Sequence, residues 1–159
     1  MDRDKQLRQQ LSKVLDWHEA HADFSAAVTD LPAELRGRVP QGLPYSAWQL
    51  LEHIRLALWD IVEFSRDARH KSPDWPEGYW PKTAAPADTT AWDKSVKAIH
   101  DYLEEMRELV NDPKRDLFAP IPHGSGQTLL RQALLTADHN AYHIGQLVLV
   151  RKALGAWKG

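Results

Sequence analysis

The chain contains no cysteine. That excludes disulfides, thiolate metal ligands and a cysteine nucleophile. No apolar run approaches the ~18 residues that a membrane span requires. The 20 basic and 22 acidic residues nearly cancel. No region gathers lysine and arginine without nearby acids, so the electrostatic footprint of nucleic-acid binding is missing. The N-terminal Met1-Asp2-Arg3-Asp4-Lys5-Gln6 is charged. It lacks the apolar segment of a secretory signal, so a cytoplasmic location is expected. Strand-like alternation of useful length is absent too.

What the chain does have is helical periodicity. A length of 159 residues favours a single domain, residues 1–159, with a core of its own. The first helix is expected from about Asp4 to Val28. Leu7, Leu11, Val14, Leu15, Ala22 and Ser25 form its inner stripe, with His18 and His21 on the same side. Pro32 then disfavours helix at Leu31. The second helix opens with Ser46 as N-cap and Gln49 three residues on, a capping box, and runs to about Arg66. The third starts near Thr90 and ends at Asn111-Asp112-Pro113. The fourth covers about Gln127 to Leu154.

Residues 67–88 are rich in proline and aromatics and too long for a tight helix–helix turn. They are long enough to cross a bundle. The pattern predicts an all-α four-helix bundle with a long crossover between its second and third helices. Several of the seven tryptophans lie between helices, where they are expected to pack loops onto the core.

The most informative stretch is Asp138-His139-Asn140-Ala141-Tyr142-His143-Ile144-Gly145-Gln146-Leu147. At 3.6 residues per turn, Leu129, Leu135, Thr136, His139, His143, Gln146, Leu147, Val150 and Leu154 share a face. Two imidazoles at i and i+4 can converge on one ion. They can equally be two hydrogen-bonded core histidines. A zinc peptidase is excluded, because Asn140 stands where its general-base glutamate belongs.

A catalytic ion needs a third protein ligand, from another helix facing the same interior. His53 is the best candidate, and His18 and His21 come next. His70 and His123 sit in loops and read as surface residues; His100 lies off its helix's stripe and reads as solvated. Ligating histidines donate their second N–H to an acceptor. Gln146, on the His139/His143 line, and Asp60, on the His53 line, are candidates for that role or for contact with substrate. His21 is expected near the site without being an obligatory ligand.

Trp48-Gln49-Leu50-Leu51-Glu52-His53, together with His139-Asn140-Ala141-Tyr142-His143-Ile144-Gly145-Gln146-Leu147, resembles the DinB-like superfamily. Its relatives include the bacillithiol S-transferases and the mycothiol-dependent maleylpyruvate isomerases. The resemblance extends by helix order over about residues 4–154. It implies a four-helix bundle with a crossover after the second helix, and a metal triad of His53, His139 and His143. It also implies a divalent cofactor and transfer of a low-molecular-weight thiol to a small electrophile in detoxification or stress. Three imidazoles suit zinc or nickel ahead of iron or copper.

Metal-assisted hydrolysis is the rival enzyme reading. A non-catalytic metal-binding stress-response bundle and an interaction module are the others. The family often pairs its bundles, so a homodimer is expected, with Trp75, Tyr79 and Trp80 as exposed candidates. The Trp75–Trp80 loop is the expected cover for an electrophile, with Asp60, Gln146 and His21 as candidate catalytic residues.

Overall fold

Ser46 begins its helix as its local chemistry requires. Its hydroxyl accepts from the Gln49 N–H, and the Gln49 side chain accepts from the Ser46 N–H. These two reciprocal bonds satisfy donors that a helix start leaves open. The computed structural model describes residues 2–16 and 19–158. Among them are six α-helices: α1 (Arg3–Val14), α2 (Phe24–Val28), α3 (Ala33–Arg36), α4 (Ala47–Arg66), α5 (Ala91–Asn111) and α6 (Leu129–Ala153). A 3-10 turn, Glu77–Tyr79, lies between α4 and α5. The four long helices form a bundle, and the described residues contain no strand.

The expected first helix is two helices. α1 stops at Val14, and α2 starts at Phe24. Asp23 imposes the new start, because its carboxylate accepts from the Ala26 N–H as an N-cap. The register that would carry an inner stripe from Leu7 to Ser25 is therefore interrupted. His18 lies outside the described residues. The segment between Pro32 and Ser46 contains the short α3.

Side-chain bonds give the direction of each helix. Ser95, early in α5, meets Glu52, early in α4. Glu105, late in α5, pairs with Arg66, at the end of α4. The two helices therefore run the same way, so the chain between them must return along the bundle. That return is visible in its contacts. His70 meets Asp60, Tyr79 meets Asp60 and then His53, and the Ala84 carbonyl reaches the Ser46 hydroxyl at the head of α4. α6 runs opposite to α4, since Val150 lies beside Leu50 while His123, before α6, reaches Phe64 near the end of α4.

The core joins Leu50, Leu51, Ile54, Leu58 and Val62 of α4 with Ile99, Leu103, Met106 and Val110 of α5 and Leu129, Ala133, Ile144, Leu147 and Val150 of α6. Two buried arginines tie helix ends into it. The Arg8 guanidinium donates to the carbonyls of Val110, Asp112 and Arg115 at 2.6, 3.1 and 2.8 Å. Arg151 donates to those of Ala26, Ala27 and Ala156. Each places a cation where a helix C-terminus has unsatisfied carbonyls and negative dipole charge.

A candidate metal centre between two helices

His53 projects from α4, and His139 and His143 from α6. The antiparallel packing of these helices brings the three rings together. His53 Nε2 stands 3.1 Å from His143 Nε2 and 3.1 Å from His139 Nε2. Among the described residues these three side chains form the only group of three or more His, Asp or Glu whose donor atoms can share an ion.

The ring orientations follow from what holds the opposite nitrogens. His53 Nδ1 lies 2.9 Å from the Tyr79 carbonyl. A carbonyl only accepts, so Nδ1 carries the proton and a neutral His53 presents a bare Nε2. His143 Nδ1 donates to Gln146 Oε1 at 2.7 Å, with the same result. His139 Nδ1 is buried without a hydrogen-bond partner in the protein.

Burial keeps the rings neutral. Desolvation foremost, with the neighbouring imidazoles, lowers His139 to about 4. Desolvation also brings His143 to about 4 against the opposing hydrogen bond to Gln146, and it lowers His53 despite the Tyr79 carbonyl. Two unprotonated nitrogens facing each other at 3.1 Å repel, and no proton between His53 and His143 relieves them. A cation does. Two nitrogens sharing an ion at about 2.1 Å stand roughly 3.0–3.4 Å apart for bond angles of about 90–110°. The cluster therefore fits a divalent metal by chemistry and by spacing.

Aromatic rings wall the site. The Trp80 indole stacks on His53 at 3.9 Å and 5°, and Tyr45 stacks on the far face of Trp80 at 4.2 Å. Tyr142, 65% exposed, stands edge-on to His143 at 4.9 Å. Periodicity could not place Tyr45, the Tyr79 carbonyl or Trp80 here, because all three lie outside the long helices.

The other candidates are distributed unevenly. Gln146 joins the site as the acceptor for His143. Asp60 does not touch His53: its two oxygens accept from His70 Nε2–H and Tyr79 OH, each at 2.7 Å. His70 is thus not the surface residue its loop suggested, since its side chain is 9% exposed against Asp60. His21 is exposed on the turn after α1, with Nδ1 on the neighbouring Ala22 carbonyl. It lines a cavity with Ala141 and Ile144. Those residues lie about 100° or more around α6 from His143. The structure leaves His21 outside the three-histidine group because the helix break removes it from the inner register. His123 is exposed and bonds the Phe64 carbonyl; His100 is exposed.

Glu52, adjacent to His53 in sequence, is committed elsewhere. It accepts from Arg55 through both oxygens and from the Ser95 hydroxyl. The expected dimer aromatics are mostly turned inward too. Tyr79 is buried and Trp80 half-buried, which leaves Trp75 at 75% exposure.

The family model described as the DinB superfamily matches residues 16–147. No curated protein and no solved structure matches the chain.

Proposed function

The chain belongs to the DinB superfamily, and we propose on that premise that it is a divalent-metal-dependent enzyme transferring a low-molecular-weight thiol to a small electrophile. The observation that carries this reading is the convergence of three neutral imidazoles on one point, with a protein acceptor on the far nitrogen of two of them. A divalent ion there, zinc or nickel ahead of iron or copper, supplies the Lewis acidity that lowers the pKa of a thiol or of water. Tyr79 and Gln146 hold His53 and His143 in the ligating tautomer. Trp80 excludes water from one face of His53.

The absence of a base separates the two enzyme readings. Hydrolysis is best served by a carboxylate near the ion, as in the zinc peptidases. Glu52 is neutralised by Arg55, Asp60 is held by His70 and Tyr79, and Asn140 follows His139. A thiol needs no such base once it is ionised. Because the chain has no cysteine, the thiol is a small molecule.

Elemental analysis of protein purified without a histidine tag, followed by a thiol-conjugation assay on the metal-loaded form, tests the proposal. One ion per chain and metal-dependent conjugation support it. Metal without turnover leaves a metal-binding stress-response bundle, and no metal leaves an interaction module.

We further propose a homodimer through the outer face of α6. Leu134, Tyr142 and Leu149 are 50%, 65% and 51% exposed there, and a side chain at Gly145 would meet only open space. Asp138 and Lys152 each lie seven residues from Gly145. Antiparallel pairing about that glycine sets Asp138 against the partner's Lys152, an isologous contact.

A further inference from the structure

Asp60 occupies a position that its sequence neighbours do not explain. It lies two helical turns beyond His53 on the same side of α4, yet it contacts no ligand. Both of its partners come from the returning chain between α4 and α5. His70 Nε2–H and the Tyr79 hydroxyl each donate to it at 2.7 Å. Asp60 and His70 side chains are 14% and 9% exposed, so water screens these bonds little. Tyr79 itself is buried, and its carbonyl accepts from His53 Nδ1 at 2.9 Å. The next residue, Trp80, stacks on the face of the same ring. One carboxylate therefore pins the short piece of chain that holds His53 by edge and by face.

We propose that Asp60 is a positioning residue that acts through Tyr79 to fix the tautomer and ring plane of His53, and so sets the affinity of the three-histidine site for a divalent ion. This rests on the metal reading above. The physical argument is geometric. The Tyr79 carbonyl belongs to a three-residue 3-10 turn, and its aim depends on where the phenol is anchored on α4. Releasing the phenol lets the carbonyl swing. His53 is then free to adopt the other tautomer, which places a proton where the ion must bind. His70 anchors the start of the return and does not touch the acceptor, so its loss matters less. Outer contacts of this kind typically change metal affinity by 10–100-fold.

The test pairs two readouts. Long-range nitrogen–proton NMR of the metal-free protein reports the His53 tautomer, and cobalt(II) titration reports affinity. The wild type should show a single Nδ1–H form. Tyr79→Phe, which removes one oxygen and keeps the carbonyl, should show both forms and bind cobalt about 10–100-fold more weakly. Asp60→Ala should match it. Asp60→Asn, whose amide oxygen still accepts from the phenol, should recover most of both signals. A single Nδ1–H form and cobalt affinity within about twofold of wild type in Tyr79→Phe would overturn the proposal, even if Asp60→Ala failed to fold. A wild type that binds no cobalt but shows the Tyr79-dependent tautomer would sink the metal reading while sustaining the clamp.

Discussion

Gln146 takes the Nδ1 proton of His143 at 2.7 Å from one turn further along the same helix. The imidazole and its acceptor are thus built into one rigid element, and no change elsewhere in the bundle need disturb their register. Replacing Gln146 with leucine keeps the volume and removes the acceptor. Metal affinity should fall about 10–100-fold, read by competition with a chelator, while the circular dichroism spectrum is unchanged. Wild-type affinity in this variant would mean that packing alone orients His143.

His143→Ala should abolish stoichiometric metal and leave the helices intact. The ring is removed from the boundary of the core, whereas the apolar contacts of α6 run through Ile144, Leu147 and Val150. His21→Ala should retain metal in full, because His21 lies on an exposed turn outside the group. Elemental analysis of the two proteins side by side decides both points, and equal loss would return His21 to the ligand set.

Acid should weaken the metal-free protein in a defined window. His139 and His143 titrate near 4 when folded, against an ordinary value of 6.5. Between those values the unfolded chain binds protons that the folded chain refuses, so stability is complete above 6.5 and is lost as the pH falls towards 4. The groups facing these rings are His53, Gln146, Tyr142 and Trp80, none of them a carboxylate that could hold an added proton. Melting curves at intervals across that range should show the decline. His139→Gln/His143→Gln should flatten it, and an equal slope in the double variant would assign the effect to other groups.

Arg8 offers a test of the fold apart from the site. Its guanidinium satisfies three carbonyls at and beyond the end of α5. Arg8→Met keeps the aliphatic stem and leaves those acceptors unpaired, which should cost about 2–4 kcal/mol in urea denaturation. Lys97→Ala, which breaks an exposed pair with Asp101, should change stability by no more than about 0.5 kcal/mol.

The outer face of α6 predicts a mass. Light scattering at micromolar concentration should give a dimer, and Leu149→Glu should give a monomer that still binds metal. A monomeric wild type would remove the pairing without touching the histidine site.

Some of this architecture is local and therefore readable from residue order. The Ser46–Gln49 box needs only four residues to declare a helix start. The His139/His143 pair needs only the helical period to face one side, and the same period puts His53 inside α4. Other features are contacts between distant stretches of chain. The expected first helix stops at Val14, and Asp23 caps the separate start of α2, a break that the apolar stripe does not mark. The burial of His70 depends on a carboxylate ten residues earlier, reached only because the chain doubles back. The acceptor for His53 is a main-chain carbonyl, a group that every residue carries and that no side-chain pattern can advertise. Asp60 could be placed on the correct line, but its link to His53 passes through that unmarked atom.

The parallel course of α4 and α5 has a consequence for how this chain can vary. α4 spans about 30 Å, a distance that about nine or ten extended residues can cover. Residues 67–90 supply more than twice that number. The surplus is what lets the return path fold into a turn, dip to Asp60 and lay Tyr79 and Trp80 on His53. A shortened link could still join the two helices and preserve the bundle, yet it would leave the ring without its acceptor and its aromatic cover. Loss of metal affinity by deletion in this segment would therefore be separable from loss of fold, a pattern unusual for a cluster whose three histidines all sit on helices.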